Sequence, residues 1–254
     1  MAIVIHGPDE IEALRCAGAA AAATLATVAH RVRPGISTAQ IDAWVADDTH
    51  ARGGRPSQRG YQGFPASVCT SVNDVVCHGI PRDSVRLAPG DIINVDVTTE
   101  LNGVHGDTSR MLLLGTPPPG AVRVVEAARA CLQAGLEAAG PSVRLGTVGA
   151  AIEACATTHG CSIVREYGGH GIGRRMHMAP HVAHHGRAGT GIRLRPGMAL
   201  TIEPIVTLHP VPLVHDDDGW TCRTADGSPS AQFEHTILIT EDGIEVLTTP
   251  PAER

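Results

Sequence analysis

The segment DIINVDVTTELNGVHGDTSRMLLLG, residues 91–115, constrains the chain more than any other. Two runs rich in β-branched residues flank Asn102-Gly103, and Asn-Gly is the strongest short-range signal for a two-residue hairpin turn. A turn at that dipeptide sets the register: Leu101 faces Val104, Asp96 faces Ser109 and Thr98 faces Asp107. Asp96 and Asp107 then project from one face as diagonal neighbours, both within reach of one small object. Carboxylates so aimed repel each other and must be protonated, bridged by a cation or held apart by solvent. An isolated pair of hairpin aspartates would simply face water, so the choice rests on the remainder of the chain.

Around the hairpin the pattern alternates. Asp9, Glu10 and Glu12 lead into an Ala-rich run reaching about His30, as acids near the positive end of a helix do. A loop at Gly35 precedes a second helix, capped near Ser37 and reaching about Ala51. Ala, Val and Leu recur at helical spacing over 121–139 and 143–159, and short β-type runs follow at about 162–166, 198–207, 231–240 and 243–248. The order helices, strands, helices, strands predicts an α+β fold with an internal duplication, although no residue repeat accompanies that rhythm. No low-complexity linker interrupts residues 1–254, which are expected to form a single domain.

Composition removes several classes of partner. All 20 basic residues are arginine, against 26 acidic ones, for a net charge of −6. With no basic run, nothing is built to neutralise nucleic-acid phosphates or an anionic membrane, and neither is expected as a partner. Seven cysteines form an odd count without a CxxC pair, which argues against a disulfide framework and a cysteine zinc site and for a reducing cytoplasm. The start MAIVIHGPDEIEALR carries acids and a proline where a signal peptide would carry basic residues and then an apolar block. The apolar stretch 17–29 is shorter than the ~20 residues that a bilayer requires.

The remaining chemistry lies in the second half. Gly168-Gly169-His170-Gly171-Ile172-Gly173 surrounds a histidine with glycines, which lets backbone and metal approach closely. Glu203 closes the apolar run 198–202, and Glu234 interrupts another between 231 and 239. A glutamate in an apolar strand is costly unless paired, and a divalent ion is one efficient partner. Asp96, Asp107, His170, Glu203 and Glu234 together make four carboxylates and one imidazole, a donor set suited to Mn, Fe, Co or Zn and to two ions rather than one. HExxH and GxSxG are absent, and a Walker loop would need a lysine that this chain lacks.

These five residues, in this order and these contexts, resemble the type I methionine aminopeptidases. YQGFPASVCTSVNDVVCHGIP, DIINVDVT, HGDTSRM, GGHGIG, TIEP and SAQFEHTI are all similar to signatures of that family, and the likeness runs across nearly the whole chain. It implies a pita-bread fold, a curved antiparallel sheet with outer helices and halves related by a pseudo-twofold axis. It also implies removal of the initiator methionine from nascent polypeptide N-termini with a small second residue, through water activated by two divalent ions.

Carried over position by position, the resemblance makes Asp96 a chelating ligand of one ion, Asp107 and Glu234 bridging ligands, and His170 and Glu203 the completion of the second site. Glu203 would move a proton between the water and the leaving amine. His177 would stabilise the tetrahedral intermediate and His78 would bond the peptide amide or leaving group. His181, His184 and His185 read as ordinary loop histidines. Tyr61, Phe64, Cys69 and Trp220, with Met176 across from them, would line the methionine pocket, where aromatic and sulfur contacts suit a thioether. Cys69 and Cys77 equally read as buried small hydrophobes.

The pocket departs from the family's pattern in several places. Met176 stands where Phe is usual, Phe64 where Tyr is frequent, and Gln58-Arg59 where apolar residues or Cys are common. Met178-Ala179-Pro180-His181 lacks acids often found there. Five of the six aromatic residues, Tyr61, Phe64, Tyr167, Trp220 and Phe233, fall in or beside the motifs and are expected around the substrate, leaving Trp44 in a helix.

Two other readings stay open. Aminopeptidase P and prolidase usually carry an extra N-terminal domain, whereas only some ten residues precede the first helix here, so one catalytic domain without such an extension is expected. A silent binding module of the same fold would tend to lose ligands, and all five stand in this chain. A monomer is expected, as is weak, salt-sensitive association with ribosomes. Met1-Ala2 fits the small-residue rule, so the mature chain is expected to begin at Ala2.

Overall fold

The computed structural model describes residues 3–249, and Met1 and Ala2, with the expectation that falls on them, lie outside the described residues. Helix α1 (Pro8–Ala29) has Pro8 at its start and Asp9 and Glu10 in its first turn. Helix α2 (Thr38–Ala51) begins from a capping box, in which the side chains of Ser37 and Gln40 accept each other's backbone N–H. Short strands β1 (Arg55–Pro56), β2 (Cys69–Val72) and β3 (Val75–Cys77) precede the long hairpin of β4 (Ile92–Leu101) and β5 (Val104–Leu113). Helices α3 (Pro119–Ala138) and α4 (Leu145–Thr158) follow. The remaining strands are β6 (Ser162–Ile163), β7 (Gly169–Gly171), β8 (Met178–Val182), β9 (Ala199–Ile202), β10 (Ile205–Thr207), β11 (Leu213–His215), β12 (Cys222–Thr224), β13 (Ser230–Gln232), β14 (Glu234–Ile239) and β15 (Ile244–Val246).

The hairpin has the expected register, with Asp96 opposite Ser109 and Thr98 opposite Asp107. Asn102 and Gly103 both take positive φ, 55° and 76°, as a type I′ turn requires. A nine-stranded antiparallel sheet runs β1-β4-β5-β14-β9-β7-β8, with β2 also on β4 and β15 also on β14. Two three-stranded sheets, β13-β10-β6 and β11-β12-β3, flank it. The two-helices-then-strands rhythm occurs twice, as expected of an α+β fold. Each half has its own apolar packing: Leu25, Val28, Ile41, Val45, Ile93 and Val95 beneath α1 and α2, and Val124, Ile152, Leu200, Ile202 and Ile237 beneath α3 and α4. Full burial of each such side chain contributes roughly 1.5–3 kcal/mol.

Two features differ from the sequence expectations. At 22 residues, α1 extends well past the apolar stretch and is long and apolar enough, by length and composition, to cross a membrane. Half of its apolar window is nevertheless buried inside the protein, and the helix rests directly on the hairpin. A Cβ added at Gly106 would lie 2.4 Å from the backbone N of Gly18, so glycine there lets α1 sit on β5 one residue from Asp107. The glycines around His170 also have a different occupant. Cβ atoms at Gly169 and Gly171 would lie 2.3 Å from the carbonyl O of Thr201 and 2.2 Å from that of Ala179, so strand backbone fills the space they leave.

Candidate active site

Strand order assembles the site. Along β4-β5-β14-β9-β7 each strand brings one residue of the expected set: Asp96, Asp107, Glu234, Glu203 just beyond β9, and His170. One ligand atom from each of Asp107, His170 and Glu234 lies within 4.8 Å of the others. His170 Nε2 is 3.5 Å from Glu203 Oε1 and 3.8 Å from Asp107 Oδ2. Asp107, Glu234 and His170 are buried.

Burial pushes all four carboxyl groups up: Asp107 to about 7, Glu203 to about 8, and Asp96 and Glu234 well above the usual range, with neighbouring carboxylates adding to the rise in all but Asp107. Burial also brings His170 down to about 3, so its ring is neutral near pH 7. Nδ1 lies 3.1 Å from the carbonyl O of Gly171; with Nδ1–H donating there, the Nε2 lone pair points at the carboxylates. Asp96 Oδ1 and Glu234 Oε1 are buried without a hydrogen-bond partner. Crowded acceptors, orphaned oxygens and a lone pair facing negative groups lack a positive charge among them, and this donor set fits divalent ions of the Mn, Fe, Co or Zn kind.

The carboxylates are held from behind. Thr98 Oγ1 donates to Asp107 Oδ1 at 2.7 Å. Thr201 Oγ1 donates to Glu203 Oε1 at 2.7 Å and accepts the N–H of His170 at 2.9 Å. Gln232 Nε2 donates to Glu203 Oε2 at 3.2 Å. Gln58 does this for Asp96 through the backbone: its Nε2 donates to the carbonyl O of Asp96 at 3.0 Å and its Oε1 accepts the N–H of Thr98 at 3.2 Å. β1 and β2 pair with β4 on either side of this stretch, so the side-chain amide stands in for a peptide group in the gap between them. Arg59 ties the same segment outward, to Ser67 Oγ at 2.9 Å and Asp42 at 3.3 Å.

A cavity of about 330 Å³ opens beside the carboxylates and is lined by all seven residues expected to contact substrate: Tyr61, Phe64, Cys69, His78, Met176, His177 and Trp220. Phe64 meets Trp220 edge-on at 5.1 Å, and Tyr61 leans on His177 at 5.0 Å. His177 in turn meets His170 at 4.2 Å between ring centroids. Burial lowers both His78, to about 4, and His177. A second cavity of about 330 Å³ shares His78, His177, Asp96, His170 and Glu203 with the first and extends past Cys77, Tyr167 and His181. A larger cleft of about 940 Å³ by Arg82, Asp218 and Arg223 contains none of the five metal-site candidates.

Two expectations need correcting. His184 is fully buried, and its Nε2 accepts the backbone N–H of Glu203 at 3.1 Å. It therefore supports the site from behind, whereas His181 is exposed and His185 half-buried. No sequence signal marks this role, because β8 ends at Val182 and the chain bends at His184 and His185. Phe233, although next to Glu234, packs in the core beneath α3, because successive strand residues face opposite ways. Cys69 and Cys77 are buried in apolar clusters, as small hydrophobes would be, and each also borders a cavity: Cys69 the first, facing Asp96 across β2 and β4, and Cys77 the second.

Residues 12–241 match the model of metallopeptidase family M24. Methionine aminopeptidase A of Synechocystis sp. is 50% identical over 246 residues, 97% of each chain. Methionine aminopeptidase of Escherichia coli is 43% identical, over 98% of this chain and 94% of that one. The solved methionine aminopeptidase of Rickettsia prowazekii superimposes with a TM-score of 0.95 at 41% identity, over 98% of this chain and 100% of that one.

Proposed function

This chain belongs to metallopeptidase family M24, and from that premise we propose that its five-strand carboxylate and histidine site removes N-terminal methionine from polypeptides whose second residue is small. The observation that carries the reading is adjacency: Asp96, Asp107, His170, Glu203 and Glu234 line the same cavity as Tyr61, Phe64, Met176 and Trp220. Asp96, Asp107, His170, Glu203 and Glu234 are the residues that would hold the divalent ions. When bound, such ions lower the pKa of water and polarise a peptide carbonyl.

The protein's own groups supply the rest. Rings and sulfur atoms at Tyr61, Phe64, Cys69, Met176 and Trp220 enclose the thioether side chain and orient the first peptide bond. His177, neutral because burial lowers its pKa, presents an N–H to the carbonyl oxygen as negative charge develops there. His78, on the leaving side, bonds the amide nitrogen. Glu203, oriented by Thr201 and Gln232, takes a proton from the attacking water and delivers it to the departing amine.

The same reading takes residues 1–254 as one catalytic unit acting as a monomer in the cytoplasm, without a membrane partner, and with only weak attraction to ribosomes. Metal choice among Co, Mn, Fe and Zn follows the supply in the cell, since this donor set accepts each. A panel of Met-X peptides tests the substrate claim: Met-Ala and Met-Gly peptides are cleaved, and Met-Leu or Leu-Ala peptides are not. Equal turnover across the panel would refute it.

A further inference from the structure

Two sulfurs lie beside the site and take no part in the reaction described above. Cys77 and Cys222 face each other across the antiparallel pair of β3 and β12. Both are buried, at 5% and 0% exposure, and both are free thiols. Residues directly opposite in such a pair have Cα atoms ~4.5 or ~5.5 Å apart, and either spacing lies inside the ~4.4–6.8 Å window for a disulfide. The two cysteines belong to one buried apolar cluster, against which Tyr167 packs. The hydrogen bond from Cys77 holds Cys222 down to about 6, while burial pushes the Cys77 thiol up. One thiolate and one thiol therefore share this site near neutral pH.

Position gives the pair its consequence. Cys77 lines the second cavity with His78, Asp96, His170 and Glu203, so a molecule as small as a peroxide that enters this cavity meets the Cys77 sulfur, with Cys222 enclosed behind it. Cys77 also immediately precedes His78, whose backbone sits at φ 56°, in the left-handed region that non-glycine residues rarely occupy. Cys77 Sγ lies 3.7 Å from Nδ1 of His78, a contact that is lost when the sulfur turns into a cross-link.

We propose that Cys77 and Cys222 form a dithiol modification site that hydroperoxides convert into a cross-strand disulfide, displacing His78 from its working position. Cys77, the sulfur at the cavity, passes its proton to the Cys222 thiolate and attacks one peroxide oxygen; the O–O bond breaks, and the hydroxide released takes that proton from Cys222 and leaves as water. Cys222 sulfur then attacks the sulfenic sulfur of Cys77, the S–O bond breaks and hydroxide departs. The two sulfurs give up two electrons, and one hydrogen peroxide is reduced to water and hydroxide. The cross-link is independent of the peptidase reading; only the activity measurement below rests on it.

The test treats Mn(II)-loaded protein with hydrogen peroxide, quenches with catalase, alkylates the remaining thiols and maps peptides by mass. A linked Cys77–Cys222 peptide is expected, with two of the seven cysteines protected from alkylation. Methionine release falls by roughly ten- to a hundredfold, the scale of an ångström's misplacement near reacting atoms, and dithiothreitol restores it. Cys222→Val and Cys222→Ser keep their activity under the same dose, and either suffices if the other does not fold. Seven alkylated cysteines, a link only between Cys131 and Cys155, or equal inactivation of the variants would overturn the proposal.

Discussion

The backbone N–H of Glu203 donates to Nε2 of His184 at 3.1 Å, and His184 is completely enclosed. Burial lowers the pKa of His184 to about 3, so the ring is neutral and Nε2 is free to accept. His184→Ala would leave a buried N–H unpaired, at a cost of about 1–3 kcal/mol. That corresponds to a melting-temperature loss of roughly 2–4 °C per kcal/mol for a chain of this size. If Glu203 carries the proton as proposed, kcat should fall while KM changes little; a rise confined to KM would contradict this role.

Gln58 bridges the gap between two strands on one edge of β4, gripping Asp96 and Thr98 by their backbone. Gln58→Ala exposes one N–H and one C=O to an interior without partners, again about 1–3 kcal/mol. Calorimetric titration with Mn(II) should show weaker binding, since Asp96 and the Thr98–Asp107 bond both sit on the loosened segment. Unchanged metal affinity together with an unchanged melting temperature would show the amide to be dispensable.

Metal-free protein should become less stable between about pH 7 and 8. Unfolded histidines, with a pKa of ~6.5, shed most of their protons by the start of this window, so the lowering of His78, His170, His184 and His235 on folding opposes the trend below it and fades within it. Asp107 at about 7 and Glu203 at about 8 are raised. The folded state therefore holds more protons than the unfolded one, and stability is lost as pH rises through these values. Divalent ions bind the ionised carboxylates and should cancel the slope, adding about 2.7 kcal/mol at a hundredfold excess over Kd. Melting curves in chelator and in Mn(II) across this range decide it; a slope unaffected by metal would be the wrong outcome.

Much of this architecture could be read from local pattern. Asn102-Gly103 dictated the hairpin and so the diagonal of Asp96 and Asp107, while Ser37 and Gln40 marked a helix start. The rest depends on which distant strands become neighbours. His184 and Glu203 are 19 residues apart, and only the pairing of β7 with both β8 and β9 brings their segments together. Gln58 likewise has no signature until β1 and β2 are seen to leave a gap. The family likeness named residues that line one cavity but could not show that Phe233 faces away, which follows from strand alternation.

Ribosome association should be weak. The chain offers 20 arginines against 26 acids, so attraction to ribosomal phosphates is opposed by the protein's own field. Sedimentation at low salt should show partial binding that disappears near 1 M salt, where the Debye length is ~3 Å. Tight co-sedimentation at high salt would mean a docking surface of another kind.

The most direct measurement is free methionine released from a Met-Ala-Ser peptide by purified protein with Co(II), Mn(II), Fe(II) or Zn(II), and with chelator. Release in at least one divalent ion is expected, none in chelator, and at least a ~100-fold loss in Glu203→Gln, the scale of removing a positioned acid–base group. No methionine under any of the four metals, or undiminished release in chelator, would contradict the account.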